Sequence, residues 1–140
     1  MAKLSRTLEL CTSADVFYKQ LLDFSAYPSF LSHIKCVRIL FQDKDEAEVV
    51  FGIDLVQFFE AKLHFVFDSD KKISWSLVES EILKTYEGSW QLSQKGKKLF
   101  ASYEVNFELK LWMPEIMLQS LIDASLPKML NEFKRHAEQK

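Results

Sequence analysis

Three histidines are the residues most able to carry chemistry, because an unperturbed imidazole titrates near neutral pH and can move a proton. They are His33, His64 and His136, and none has a companion residue at a catalytic spacing. His64 falls on the outward phase of its strand pattern. His33 forms only an H-x-x-C pair with Cys36, which is two ligands short of a zinc site. No metal site is therefore predicted, and the catalytic residues stay unknown.

Longer catalytic motifs are also missing. The sequence contains no Ser-His-Asp order, glycine-rich phosphate loop, H-E-x-x-H segment or prominent pair of carboxylates. Cys11 and Cys36 are the only cysteines, too few for a disulfide scaffold, and we predict that both are reduced. The residues thus imply no cofactor, and they favour binding over catalysis.

Aromatic residues are abundant, at 14% of the chain. An inward-facing set would either fill an ordinary core or line a pocket for an apolar ligand. Within it, buried Tyr and Trp side chains would seek a hydrogen bond, either with a ligand head group or with a protein carbonyl. The strand residues of the set are Phe51, Phe59, Phe65, Trp75, Trp90, Tyr103 and Phe107.

Length and charge bound the class of protein. A chain of 140 residues suits a single domain, so residues 1–140 are predicted to form one. The net charge of −2 gives no electrostatic footprint for nucleic acid, so none is expected as a partner. No apolar window approaches the ~18 residues of a transmembrane helix, and the N-terminus lacks an apolar signal region. A cytoplasmic protein is the expectation.

Strict alternation of apolar and polar residues from Leu99 to Leu111 predicts a long strand with one wet face. The same two-residue period predicts six more strands. These are Leu4–Cys11, Cys36–Gln42, Ala47–Val56, Phe58–Phe67, Ile73–Glu79 and Leu83–Ser93. In the strand Cys36–Gln42, for example, the inward-facing residues would be Val37, Ile39 and Phe41.

Two regions follow a helical period instead. After a Thr12-Ser13 cap, a first helix is predicted to end near Ser25-Ala26, and a short helical turn follows at Tyr27–Ser32. The last helix is predicted to begin with Pro114 in its first turn and to run to about Glu138. Pro127 lies inside it, and a kink is expected just before that residue.

The order strand, helix, helix, six strands, long helix resembles the helix-grip fold. Tyr27-Pro28-Ser29-Phe30-Leu31 resembles the YPxFL signature of the coenzyme-Q-binding and polyketide-cyclase-like family in the START (SRPBCC) superfamily. Gly88-Ser89-Trp90 resembles the G-x-W strand of that family, and Leu126-Pro127 to Ala137 resembles its terminal helix. The resemblance implies an α+β fold in which a curved, seven-stranded antiparallel sheet wraps a long C-terminal helix, with two short helices after the first strand.

The resemblance also implies a cavity between sheet and helix that holds a hydrophobic small molecule or lipid. The helix would add Leu118, Ile122 and Leu126 to the aromatic lining. Tyr27, Pro28 and Phe30 would form either an entrance or a packed corner.

Ser32-His33-Ile34 replaces the Pro-Trp-Cys that often continues the signature, which leaves the ligand open among isoprenoid quinone, lipid and polyketide-like molecules. A polyketide cyclase or aromatase activity of the cyclase/dehydratase kind is the enzymatic alternative. A module that docks on the ribosome or another protein partner is the third, because some bacterial relatives are ribosome-associated.

Overall fold

The computed structural model describes residues 2–55, 57–69 and 71–139. The first part of the fold is a strand followed by helices, and the remainder is a run of strands closed by one long helix. The elements are β1 (Ala2–Leu10), α1 (Ala14–Leu22), a 3-10 turn (Phe24–Ala26), α2 (Tyr27–Phe30), β2 (Ile34–Gln42), β3 (Glu46–Asp54), β4 (Phe58–Ser69), β5 (Lys72–Ser80), β6 (Leu83–Lys95), β7 (Lys98–Leu109) and α3 (Glu115–Glu138).

All seven strands form one antiparallel sheet in the order β1-β7-β6-β5-β4-β3-β2. Strands β2 to β7 follow one another as hairpin neighbours, whereas β1 pairs with β7, so β1 and β2 are the two edges. The alternation predicted for β7 is confirmed, since Leu99, Ala101, Tyr103 and Val105 are all buried. One face of the sheet therefore carries the core.

Helix α3 packs on this inner face. Its Phe133 ring meets Phe17 of α1 and Trp90 of β6 edge-on, with ring centroids 6.5 and 5.4 Å apart. The predicted cap of α1 is confirmed, because the Ser13 hydroxyl accepts a hydrogen bond from the Val16 backbone N–H at 3.1 Å. The predicted helix-grip arrangement is confirmed.

The inward set predicted for the second strand is partly wrong. Ile39 and Phe41 are exposed, and only Val37 is half-buried. Strand β2 is an edge strand whose pairing with β3 shifts register twice, and each irregularity interrupts the side-to-side alternation on which the prediction depended. Val56, the predicted end of the third strand, lies outside the described residues.

The terminal helix is continuous through Pro127. This proline has no backbone N–H to donate to the carbonyl four residues earlier, which weakens the helix at that point. A kink there stays a prediction.

At Gly88 a side chain of the neighbouring strand lies against the backbone. A Cβ at this position would lie 2.5 Å from Cζ2 of Trp75 and 2.5 Å from the backbone oxygen of Glu104. Gly88 pairs with Trp75 across β5 and β6, so the indole lies over the strand where a side chain would otherwise stand. The orientation of Trp75 thus depends on this glycine.

We predict that Gly88→Ala destabilises the protein by about 3 kcal/mol, because neither the indole nor the backbone oxygen can move away cheaply. The free energy of unfolding from urea titration measures the change. Gly96→Asn is the matched control. Gly96 has φ 64° and open space around it, and Asn tolerates that conformation, so a change within about 0.5 kcal/mol is expected. Equal losses in both variants would contradict the packing argument.

Candidate functional site

Two cavities lie in the interior around α3. The outer chamber has a volume of about 170 Å³ and is lined from α3 by residues between Leu121 and Met129. The inner chamber has a volume of about 80 Å³ and is lined from α3 by Met129 and Phe133. The chambers share four lining residues, which we call the waist: His33, Ile53, Tyr86 and Met129. The two spaces are therefore neighbours along α3.

The outer chamber is mostly aliphatic. Leu55, Gln57 and Leu111 line it and are also exposed, so this chamber reaches the surface beside them. Leu55 is the first residue after β3 and Leu111 is the second after β7, so neither is held by the pleat of a strand. Next to this mouth, Trp112 is 88% exposed and Ile116 is 79% exposed.

Half of the residues that line the inner chamber are Phe, Tyr or Trp. Tyr103 is the centre of its wall, with Trp90 at 4.9 Å and Trp75 at 5.7 Å between ring centroids. Tyr27 stacks on Phe51 at 5.8 Å and closes another side. Rings whose edges and faces meet in this way are held rigidly, so the chamber has a defined shape.

The structure divides the predicted lining residues between the two chambers. Phe51, Phe65, Trp75, Trp90 and Tyr103 line the inner chamber. Phe59, Phe107, Ile122 and Leu126 line the outer chamber. Leu118 packs against the core but lines neither.

The predicted entrance residues lie by the inner chamber. Tyr27 is buried, lines that chamber and donates its hydroxyl to the Leu21 backbone oxygen at 2.6 Å. Phe30 stacks on the imidazole of His136 with ring centroids 4.0 Å apart, and Pro28 is exposed. Neither Phe30 nor Pro28 lines a chamber. These contacts are those of a packed corner.

Tyr86 is a polar residue that lines both chambers, and the sequence analysis did not single it out. Burial raises the pKa of Tyr86, while the Tyr103 hydroxyl and the Trp75 indole N–H act as donors toward its oxygen and oppose that rise. Burial also raises the pKa of Tyr103. The Trp75 N–H has no hydrogen bond of ordinary geometry within the described residues, so it stays only partly satisfied. Tyr86 was recognisable as an inward-facing residue, but nothing in the sequence placed it at a waist.

His33 is the second residue that the sequence did not single out for the cavity. It follows α2 in a loop, so no strand period could show which way its side chain points. Burial lowers its pKa, and Lys128 and Lys35 act in the same direction, while Glu132 opposes them. The waist therefore carries an imidazole that is neutral at pH 7.

The other histidines take no part in the chambers. His64 contacts Glu46 across β3 and β4 at 2.9 Å, on the outward phase as predicted. The described residues contain no cluster of three or more His, Cys, Asp or Glu able to hold a metal ion. Nor does any helix within them have the length and apolarity needed to cross a bilayer.

A curved antiparallel sheet that grips a long helix over an apolar cavity defines a START-like protein. The family model of polyketide cyclase/dehydrase and lipid-transport proteins matches residues 10–134, and the chain belongs to this family. The resemblance in the YPxFL segment is thereby confirmed at the level of the family. No curated protein sequence matches the chain.

Solved structures with low sequence identity share the fold over nearly the full length. A START superfamily protein from Mycobacterium smegmatis has a TM-score of 0.88 at 20% identity, covering 98% of this chain and 97% of its own. The Zhui aromatase/cyclase from Streptomyces has a TM-score of 0.87 at 15% identity, with 99% and 94% covered. A major latex-like protein from Panax ginseng has a TM-score of 0.71 at 17% identity, with 97% of each chain covered.

We predict that His33 makes the fold sensitive to mild acid. Its pKa is lower in the folded protein than in the unfolded chain, so the unfolded chain binds the proton first, and stability is lost as pH falls below about 6.5. His33→Gln removes this linkage. Its free energy of unfolding should fall less than that of the wild type between pH 7 and pH 5, by at most about 1.4 kcal/mol per pH unit. Denaturant titrations measure both free energies of unfolding. If they fall equally between pH 7 and pH 5, the assignment of the acid sensitivity to His33 is contradicted.

Proposed function

We propose that the protein binds and carries a hydrophobic small molecule in the two chambers. The supporting observation is the apolar lining of a cavity system that reaches the surface. An engineered cavity of ~150 Å³ in another protein stays dry and binds benzene, so the outer chamber, at about 170 Å³, has room for a ring of that size or for a short chain. Removing apolar ligand surface from water supplies roughly 25 cal/mol per Å².

The volumes restrict how a ligand fits. The inner chamber, at about 80 Å³, is smaller than the cavity that holds benzene, so a flat ring there must share the waist. A long lipid or isoprenoid chain exceeds both chambers and would leave through the mouth beside Leu55 and Leu111. The proposal therefore favours a molecule with one compact end and one extended end.

A cyclase or dehydratase-like enzyme is the second candidate. The observation that favours it is the waist, where His33 and Tyr86 present a neutral imidazole and a phenol to both chambers. Such a pair can shuttle a proton on a ligand held between them. The family description names cyclases and dehydrases beside lipid transport, and Zhui is an aromatase/cyclase.

Native mass spectrometry of the protein from its expression host, followed by organic extraction, tests the main proposal. We expect a stoichiometric adduct that extracts into solvent as an apolar molecule. If incubation of the holoprotein changes the mass of the extracted molecule, the enzyme is favoured instead. A protein that is empty after mild purification and takes up no added apolar probe would contradict both.

A cavity-filling substitution gives a sharper test. Ser125 lines the outer chamber, whereas its neighbour Ala124 is exposed on α3 and lines neither chamber. We predict that Ser125→Phe places its ring in the chamber and weakens binding of the neutral fluorophore N-phenyl-1-naphthylamine at least tenfold, or about 1.4 kcal/mol. Ala124→Phe adds the same ring to the same helix outside the cavity, and affinity within twofold of the wild type is expected. Fluorescence titration measures both, and equal affinities would contradict the location of the site.

A further inference from the structure

The lining of the cavity system changes from aromatic in the inner chamber to aliphatic in the outer chamber. The inner chamber is walled by aromatic rings, among them Phe65, Trp75 and Trp90. The outer chamber is walled mainly by aliphatic side chains, among them Leu109 and Leu121. Flat rings stack well on aromatic walls, whereas flexible chains pack on aliphatic ones. The two chambers thus suit two different parts of one molecule.

No charged side chain is available to a ligand within these walls. Among the described lining residues there is no Lys, Arg, Asp or Glu, and His33 is the only side chain there able to become cationic. Burying a carboxylate or phosphate without a partner costs several kcal/mol. A polar group of a ligand that lies within the chambers is therefore expected to be neutral.

The hydroxyl of Tyr86 is oriented by its neighbours. A phenol has two acceptor lone pairs and one O–H donor. The Trp75 ring lies between two phenols, with its centroid 6.2 Å from that of Tyr86 and 5.7 Å from that of Tyr103. Tyr103 and Trp75 both lower the pKa of Tyr86 against the effect of burial, as nearby donors do. An indole N–H can only donate, so beside it the Tyr86 oxygen is suited to accept and the Tyr86 O–H is suited to donate to a ligand. Donation from neighbours also makes a hydroxyl a stronger donor.

We propose that Tyr86 recognises a carbonyl oxygen of the ligand at the waist, with a flat ring that occupies the inner chamber and part of the waist and an aliphatic chain in the outer chamber toward the mouth. This rests on the proposed binding function and adds the chemical class and the direction of the ligand. Trp75 adds a second donor for a ligand oxygen, because its indole N–H is buried beside the inner chamber without a formed hydrogen bond. A ligand oxygen that accepts a hydrogen bond from Tyr86 would lie among the polar groups of Tyr86, Tyr103 and Trp75.

The test compares two probes of equal length that differ in one group. Octanophenone carries a ring, a carbonyl and a seven-carbon chain, and octylbenzene has a methylene in place of the carbonyl. Their affinities are measured by displacement of N-phenyl-1-naphthylamine. We expect the ratio of ketone affinity to hydrocarbon affinity to fall about tenfold in Tyr86→Phe, which corresponds to the loss of one buried hydrogen bond. In Tyr103→Phe, which removes only a supporting donor, we expect a fall of about threefold.

Tyr27→Phe is the matched control. It deletes a hydroxyl from the same inner chamber, but that hydroxyl is already bonded to the Leu21 backbone oxygen. It should change both affinities by the same factor and keep the wild-type ratio. Circular dichroism checks that each variant is folded. An unchanged ratio in Tyr86→Phe would overturn the recognition of a carbonyl by Tyr86, whatever Tyr103→Phe shows, while leaving the binding function standing. Failure of both probes to bind the wild type would overturn the binding function as well.

Discussion

One helix must cover a seven-stranded sheet, and the rest of the structure follows from that constraint. Strands lie about 4.8 Å apart, so seven of them span roughly 29 Å, whereas a helix with its side chains is about 10 Å wide. The sheet has to curve around α3, and the helices α1 and α2 add their side chains at one end only. Where they pack, through Phe17 and Tyr27, the interior is narrow and filled with rings. Where α3 stands alone, the interior stays open.

Helix α3 is accordingly held unevenly. Its second half buries Met129, Leu130, Phe133 and Ala137, whereas Ile122 is the buried residue of its first half. Carboxylates of the second half also bond to backbone N–H groups of other elements, Glu138 to Cys11 at 2.8 Å and Glu132 to Ser32 at 3.3 Å. Regions with few buried contacts open at lower free energy than the core. The first half, over the outer chamber, is thus the part of the helix that opens most readily.

Periodicity was a sufficient guide wherever a strand is paired on both sides. The β7 pattern identified Tyr103 and Val105 as core residues because regular pairing keeps the alternation intact. It failed for Ile39 and Phe41, where the edge strand shifts register. It also could not separate cavity-lining rings from filling ones, because that distinction depends on where α3 lies. Periodicity could not place His33 either, because the direction of a side chain in a loop depends on the elements that the loop joins.

The three tryptophans give the molecule a built-in optical contrast. Trp75 and Trp90 are buried in the aromatic wall, whereas Trp112 is almost fully exposed beside the mouth. Two indoles therefore emit from an apolar surrounding at shorter wavelength, and the third emits from water. A soluble quencher such as acrylamide reaches the third alone, so the remaining emission comes from the interior. Changes inside the chambers and changes at the rim can thus be followed separately in the same unlabelled protein.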